Sequence, residues 1–138
     1  MKKILHRMKP HLSPSGQELV EFAIVLPLLL LVAFGVLDLG RIFHSAITIT
    51  NAAREGARYG MTNVDDVDGI IAATLAEAQN SGIDLSTSLI DVSCPAGACG
   101  SKLPIRVTVQ YNFTFIMVGF VFPNPNLAII RSAEMMAP

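Results

Sequence analysis

The chain has 138 residues, 51 % of them hydrophobic and 15 % charged, with a mean hydropathy of +0.51. That is the length of one domain, too apolar for a disordered chain. A formal net charge of −1 and a pI near 6.3 disfavour a nucleic-acid binder, and two cysteines cannot build a disulfide-dense scaffold.

Charge is unevenly placed. Lys2, Lys3, Arg7 and Lys9 give residues 1–16 a local +4 without an acid, and the remaining 122 residues carry −5. Phe22 to Leu37 follows as sixteen residues with no charged side chain. As a helix this run covers about 24 Å, and extension to Phe43 gives about 33 Å, enough for a hydrocarbon core of roughly 30 Å. The extension brings in Asp38 and Arg41, three apart on one helix face, where they can pair at the outer headgroups while Arg41 snorkels. Basic residues on the inner flank keep the N-terminus in the cytoplasm and place the rest outside. A cleaved secretory signal is the alternative, but no small-x-small site follows the run. Pro27 removes one helical hydrogen bond, which spanning helices tolerate.

Ser13-Pro14-Ser15-Gly16 breaks any earlier helix, and Ser15 with Glu18 has capping-box spacing. The helix dipole accounts for Glu18. It accounts only in part for Glu21, a full turn inside and beside the hydrocarbon.

Two blocks carry a family resemblance. GQELVEFAIVLPLLLL, from Gly16, resembles the N-terminus of TadE-like proteins, the small pilin-like subunits of Tad (Flp) pilus systems. DLGRIFHSAITITNAAREGARYG, Asp38 to Gly60, is similar to the same family's segment just outside the membrane. Together they span about a third of the chain; beyond Gly60 only the general layout is shared. The resemblance implies a subunit cut by a membrane aspartyl prepilin peptidase after Gly16, leaving Gln17 first, although Gln17 departs from the usual first residue. It also places the family's fifth-position glutamate and its following aromatic on Glu21 and Phe22. In a filament that glutamate would neutralise a neighbour's new α-amino group in apolar surroundings.

Outside the membrane the helix continues. Ala52, Gly56 and Gly60 form a row of small residues at four-residue spacing, with Ala53 and Ala57 beside it. Such a row admits either another chain's backbone or the protein's own sheet. Arg54 and Arg58 read as a solvated face. Residues 61–69 read as an acidic, solvated loop without the ligand spacing of a calcium site. Ile70 to Asn80 reads as a short helix with Ile71, Leu75 and Ala78 on one face, ended by Ser81-Gly82.

The remainder is β-rich. Leu89 to Cys94 predicts a strand, and Pro104 to Phe115 alternates apolar and polar residues with a period of two, one face on a core and one in water. Phe120 to Phe122 continues apolar, Pro123 to Asn126 predicts a turn, and Leu127 to Met136 a last strand. The run from Phe113 to Phe122 is too short for a second span and suits an exposed patch, for a partner or the membrane surface. Cys94 and Cys99 predict a disulfide closing a small loop, worth roughly 2 kcal/mol; a metal site would need two more ligands.

The expectation is a membrane-anchored α+β protein: a basic cytoplasmic leader (1–16), a transmembrane and extended helix (17–60), and an extracytoplasmic domain (61–138). That domain holds a short second helix and a small antiparallel sheet. With no nucleophile elbow, phosphate loop or metal-binding helix motif, the chain reads as no enzyme, with no cofactor, metal, nucleic acid or small-molecule substrate. Its expected role is structural, as a minor pilin or pseudopilin of a Tad-type pilus in the cytoplasmic membrane. Its partners would be the membrane, other pilin-like subunits, the assembly machinery and the prepilin peptidase. The rival role is a signal-anchored extracytoplasmic binding protein, neither cleaved nor part of a filament.

Overall fold

A computed structural model describes residues 14–97, 99–100, 102–116 and 126–138. The basic leader up to Ser13, the apolar stretch Phe120 to Phe122 and the turn from Pro123 lie outside the described residues.

One helix, α1 (Pro14–Thr62), runs for 49 residues, roughly 70 Å. Pro14 sits at its start, where proline's missing N–H and fixed φ suit the first turn. Ser15 is therefore already helical and is not the N-cap that its spacing to Glu18 suggests, while any helix before Ser13 lies outside the described residues. Pro27 lies inside the helix without ending it. The first part of α1 is long and apolar enough to cross a membrane, and none of that window is buried within the chain.

After a four-residue connection comes α2 (Val67–Asn80). It starts three residues earlier than the sequence suggests, because Asp66 caps it: the side chain accepts from the Gly69 N–H at 2.9 Å. Much of the expected acidic loop is thus helix. The buried face is Ile70, Thr74 and Ala78, with Ile71 and Leu75 only partly covered. Thr74 tolerates this position by donating its hydroxyl to the Ile70 carbonyl at 2.8 Å. Gly82, at φ +80°, closes α2: its N–H bonds to Gln79 O and the Ile83 N–H to Ala78 O, both at 2.9 Å.

A short 3₁₀ turn, Thr87–Leu89, leads into β1 (Ile90–Ser93), followed by β2 (Pro104–Thr114) and β3 (Asn126–Met136). They form an antiparallel sheet in the order β1-β2-β3. The register pairs Val109 with Ile90 on one side and with Arg131 on the other. Asn126, expected in a turn, opens β3 opposite Thr114. The period of two in β2 is realised: Ile105, Val107, Val109 and Phe113 are buried. On the opposite face Arg106 and Glu134, directly opposed in register, pair at 2.7 Å.

The distal half of α1 lies across this sheet and against α2, and the core forms between them from Ile49, Ala52, Ala53, Ala57, Ile70 and the inward residues of β2. The helix that begins as a bare apolar rod thus ends as a core element.

Candidate functional site

Three zones along α1 hold the residues that the sequence singles out. At the inner end, Gly16 and Gln17 lie within the first turns of the helix. The Gln17 amide donates to Glu21 Oε1 at 3.1 Å, one turn on. Glu21 and Phe22 face outward, Phe22 with 58 % of its surface exposed. Beyond that bond to Gln17, the carboxylate and the aromatic ring are presented on a bare stretch of helix.

The middle zone lies where the apolar run ends. Asp38 is 4 % exposed, and Arg41 Nη1 donates to its Oδ1 at 3.0 Å. The sequence placed this pair at the border; the structure adds what surrounds it. The chain just past β2 reaches the pair, with the Ile116 N–H donating to Asp38 Oδ1 at 3.4 Å. The Arg41 guanidinium lies 4.8 Å from the centroid of the Phe113 ring, a cation–π geometry, and Phe115 meets that ring edge-on at 5.2 Å. Asp38 is thus neutralised and hydrogen-bonded, the condition under which a buried carboxylate is tolerable.

In the outer zone, Ala52, Gly56 and Gly60 face the chain's own α2 and β2. A β-carbon added at Gly56 would run into the Thr74 hydroxyl and stand 3.3 Å from the Ile70 carbonyl oxygen. One added at Gly60 would stand 3.0 Å from Ile70 Cδ1 and 3.2 Å from Ile105 Cδ1. The close backbone approach that small residues permit is therefore used internally. Arg58 pairs with Glu55, its Nε donating to Oε2 at 2.8 Å, and this bond lowers the Glu55 pKa. Arg54 stays exposed and lines a shallow groove with Phe43, Ile47, Thr50 and Arg131 of β3.

Where α1 meets α2, the Tyr59 hydroxyl donates to Asp66 Oδ2 at 2.8 Å. The Asp66 carboxyl is held below its ordinary range, first by the Gly69 N–H and then by Tyr59; the same bond raises the Tyr59 pKa. Sequence reasoning assigned these two residues no role. Its available signal was an Asp just ahead of an apolar helical run. Cys94 and Cys99 are joined by a disulfide with Cα atoms 5.3 Å apart, across a turn that carries Gly97 at φ +82°. Among the described residues, no group of three or more His, Cys, Asp or Glu side chains converges on a common point.

No curated protein and no solved structure matches the chain. A family model described as TadE-like protein matches residues 16–58. That segment contains all of the first sequence block and reaches to within two residues of the end of the second. It is also the stretch of α1 that carries Glu21 and Phe22, the Asp38–Arg41 pair and most of the small-residue row. From Gly16 to Arg58, this chain carries a TadE-like segment.

Proposed function

We propose that the protein is a structural subunit, a minor pilin or pseudopilin, of a Tad-type pilus assembly system. In this reading α1 anchors it in the cytoplasmic membrane with the N-terminus inside, and it works by assembly rather than by catalysis. The observation that carries the reading is the TadE-like match over residues 16–58 together with Glu21 and Phe22 standing exposed just past Gly16. Cleavage after Gly16 would place Glu21 fifth in the mature chain and put a new amino group on Gln17. In a stack of subunits, the carboxylate of one chain would neutralise the amino group of the next. The Gly16–Gln17 junction is helical here, so a peptidase must open the first turn. That turn is the weakest part of any helix, because its first four N–H groups have no partner within the helix.

Mass spectrometry of the mature N-terminus is the direct test, and a chain that starts at Gln17 is expected. Gly16→Leu should leave a full-length, membrane-inserted protein, because the apolar helix is untouched. Glu21→Ala should insert at least as well as the parent, since a costly acid leaves the lipid boundary, yet assemble poorly. If both variants are processed like the parent and support normal pili, the filament reading is wrong and an uncleaved, signal-anchored binding protein takes its place.

A further inference from the structure

We propose that the membrane-facing end of the sheet, at Ile116 and Leu127, is seated in the outer leaflet of the bilayer that α1 crosses, so that phospholipid covers it. The proposal rests on the anchor reading above and concerns depth. Counted from Phe22, the first residue past the inner carboxylates, about 30 Å of helix ends near Ile42. Any tilt of α1 moves that border further toward the C-terminus. Asp38 lies about 6 Å short of it. Because the Ile116 N–H bonds to Asp38, the end of β2 stands at the same depth. Leu127 is brought there too, since it pairs with Phe113 in the β2–β3 register.

The surface at this level suits lipid. Leu39, Phe43, Ile116 and Leu127 are 52 %, 60 %, 62 % and 40 % exposed. The one acid among them, Asp38, is buried and satisfied by Arg41 and Ile116. Arg41 keeps nearly half of its side chain exposed, while its guanidinium pairs with Asp38 and covers the Phe113 ring, so no uncompensated charge stands at this level. The opposite end of the domain has the reverse character. Asp65, Asp66 and Asp68 cluster beyond Thr62, about 36 Å of helix away from Asp38. An apolar end at the bilayer and an acidic end in water give the domain a single stable orientation.

The protein has no tryptophan, so single substitutions give clean reporters. Ile116→Trp and Leu127→Trp replace exposed side chains and should fold. Val67→Trp reports the far end and Leu30→Trp the span. Each full-length variant is reconstituted in phosphatidylcholine vesicles, with and without bromine, which is placed on the acyl chains near the headgroup for the other three variants and near the chain ends for Leu30→Trp. Expected is blue-shifted emission, quenched by the brominated lipid, for Ile116→Trp, Leu127→Trp and Leu30→Trp, and neither effect for Val67→Trp. Quenching of Leu30→Trp without quenching at 116 and 127 would overturn the seating and leave the anchor standing. No quenching of Leu30→Trp would overturn the anchor reading itself. Emission at 116 that shifts to the blue only when a second protein is added would assign the surface to a protein partner and overturn the proposal.

Discussion

Placing a methyl group on Gly56 drives it into the Thr74 hydroxyl, and Thr74 is itself tied to the Ile70 carbonyl. The helix-propensity gain from replacing glycine is about 1 kcal/mol, while overpacking a close helix contact costs about 1–3 kcal/mol. Overpacking wins, so Gly56→Leu should lower the thermal midpoint of the detergent-solubilised protein even though it favours helix. The Tyr59–Asp66 bond offers a second handle. The folded Asp66 pKa lies below its unfolded value, so its stabilisation is present above about pH 4 and lost as pH falls through the folded pKa. The Tyr59 pKa is raised, so its contribution is present below about pH 10 and lost as pH rises through the folded value. Tyr59→Phe should flatten the alkaline limb of a stability-against-pH curve and weaken the acid limb. An unchanged pair of limbs would show that the bond contributes nothing. At this scale the sequence was readable only in part. Asp66 stood in an acidic run that read as a loop, and the α2 face read as Ile71, Leu75 and Ala78 lies one residue off the buried Ile70, Thr74 and Ala78. The burial of Thr74 sets the phase, through a hydroxyl bond that hydropathy patterns do not register.

Among the elements, the strands were the most legible, because strict alternation over eleven residues leaves only one register of faces. The long helix was equally plain from its apolar run. What no local pattern could give is the meeting of β2 with α1, since Asp38 and Ile116 are 78 residues apart. Phe113 sits at that junction, 1 % exposed. Phe113→Ala should cost about 3–5 kcal/mol and release Arg41 from the ring, a loss readable by thermal or denaturant unfolding in detergent. The Cys94–Cys99 bridge closes the connection between β1 and β2. Thiol labelling of the unreduced protein should fail until reductant is added, and the double Cys→Ser variant should lose about 2 kcal/mol. Labelling without reductant would place the thiols free.

For the whole molecule, the proposed orientation rests on charge: residues 1–16 carry +4 and the remaining 122 carry −5. A reporter fused after Pro138 should be active outside the cytoplasm, and cytoplasmic activity would reverse the topology. Between its membrane part and its core part α1 has no linker and no break, only one continuous helix from Pro14 to Thr62. The molecule therefore has no swivel. The compass bearing of the sheet is locked to the bearing of Glu21, as a flag is fixed to its pole. A neighbour that grips one side of the helix within the bilayer always meets the same side of the domain above it. One residue inserted between Leu30 and Leu31 would turn the domain by about 100° relative to Glu21 while lengthening the helix by only about 1.5 Å. Such a chain should fold and insert as before, yet in the proposed filament it would present the wrong flank to the subunit beside it.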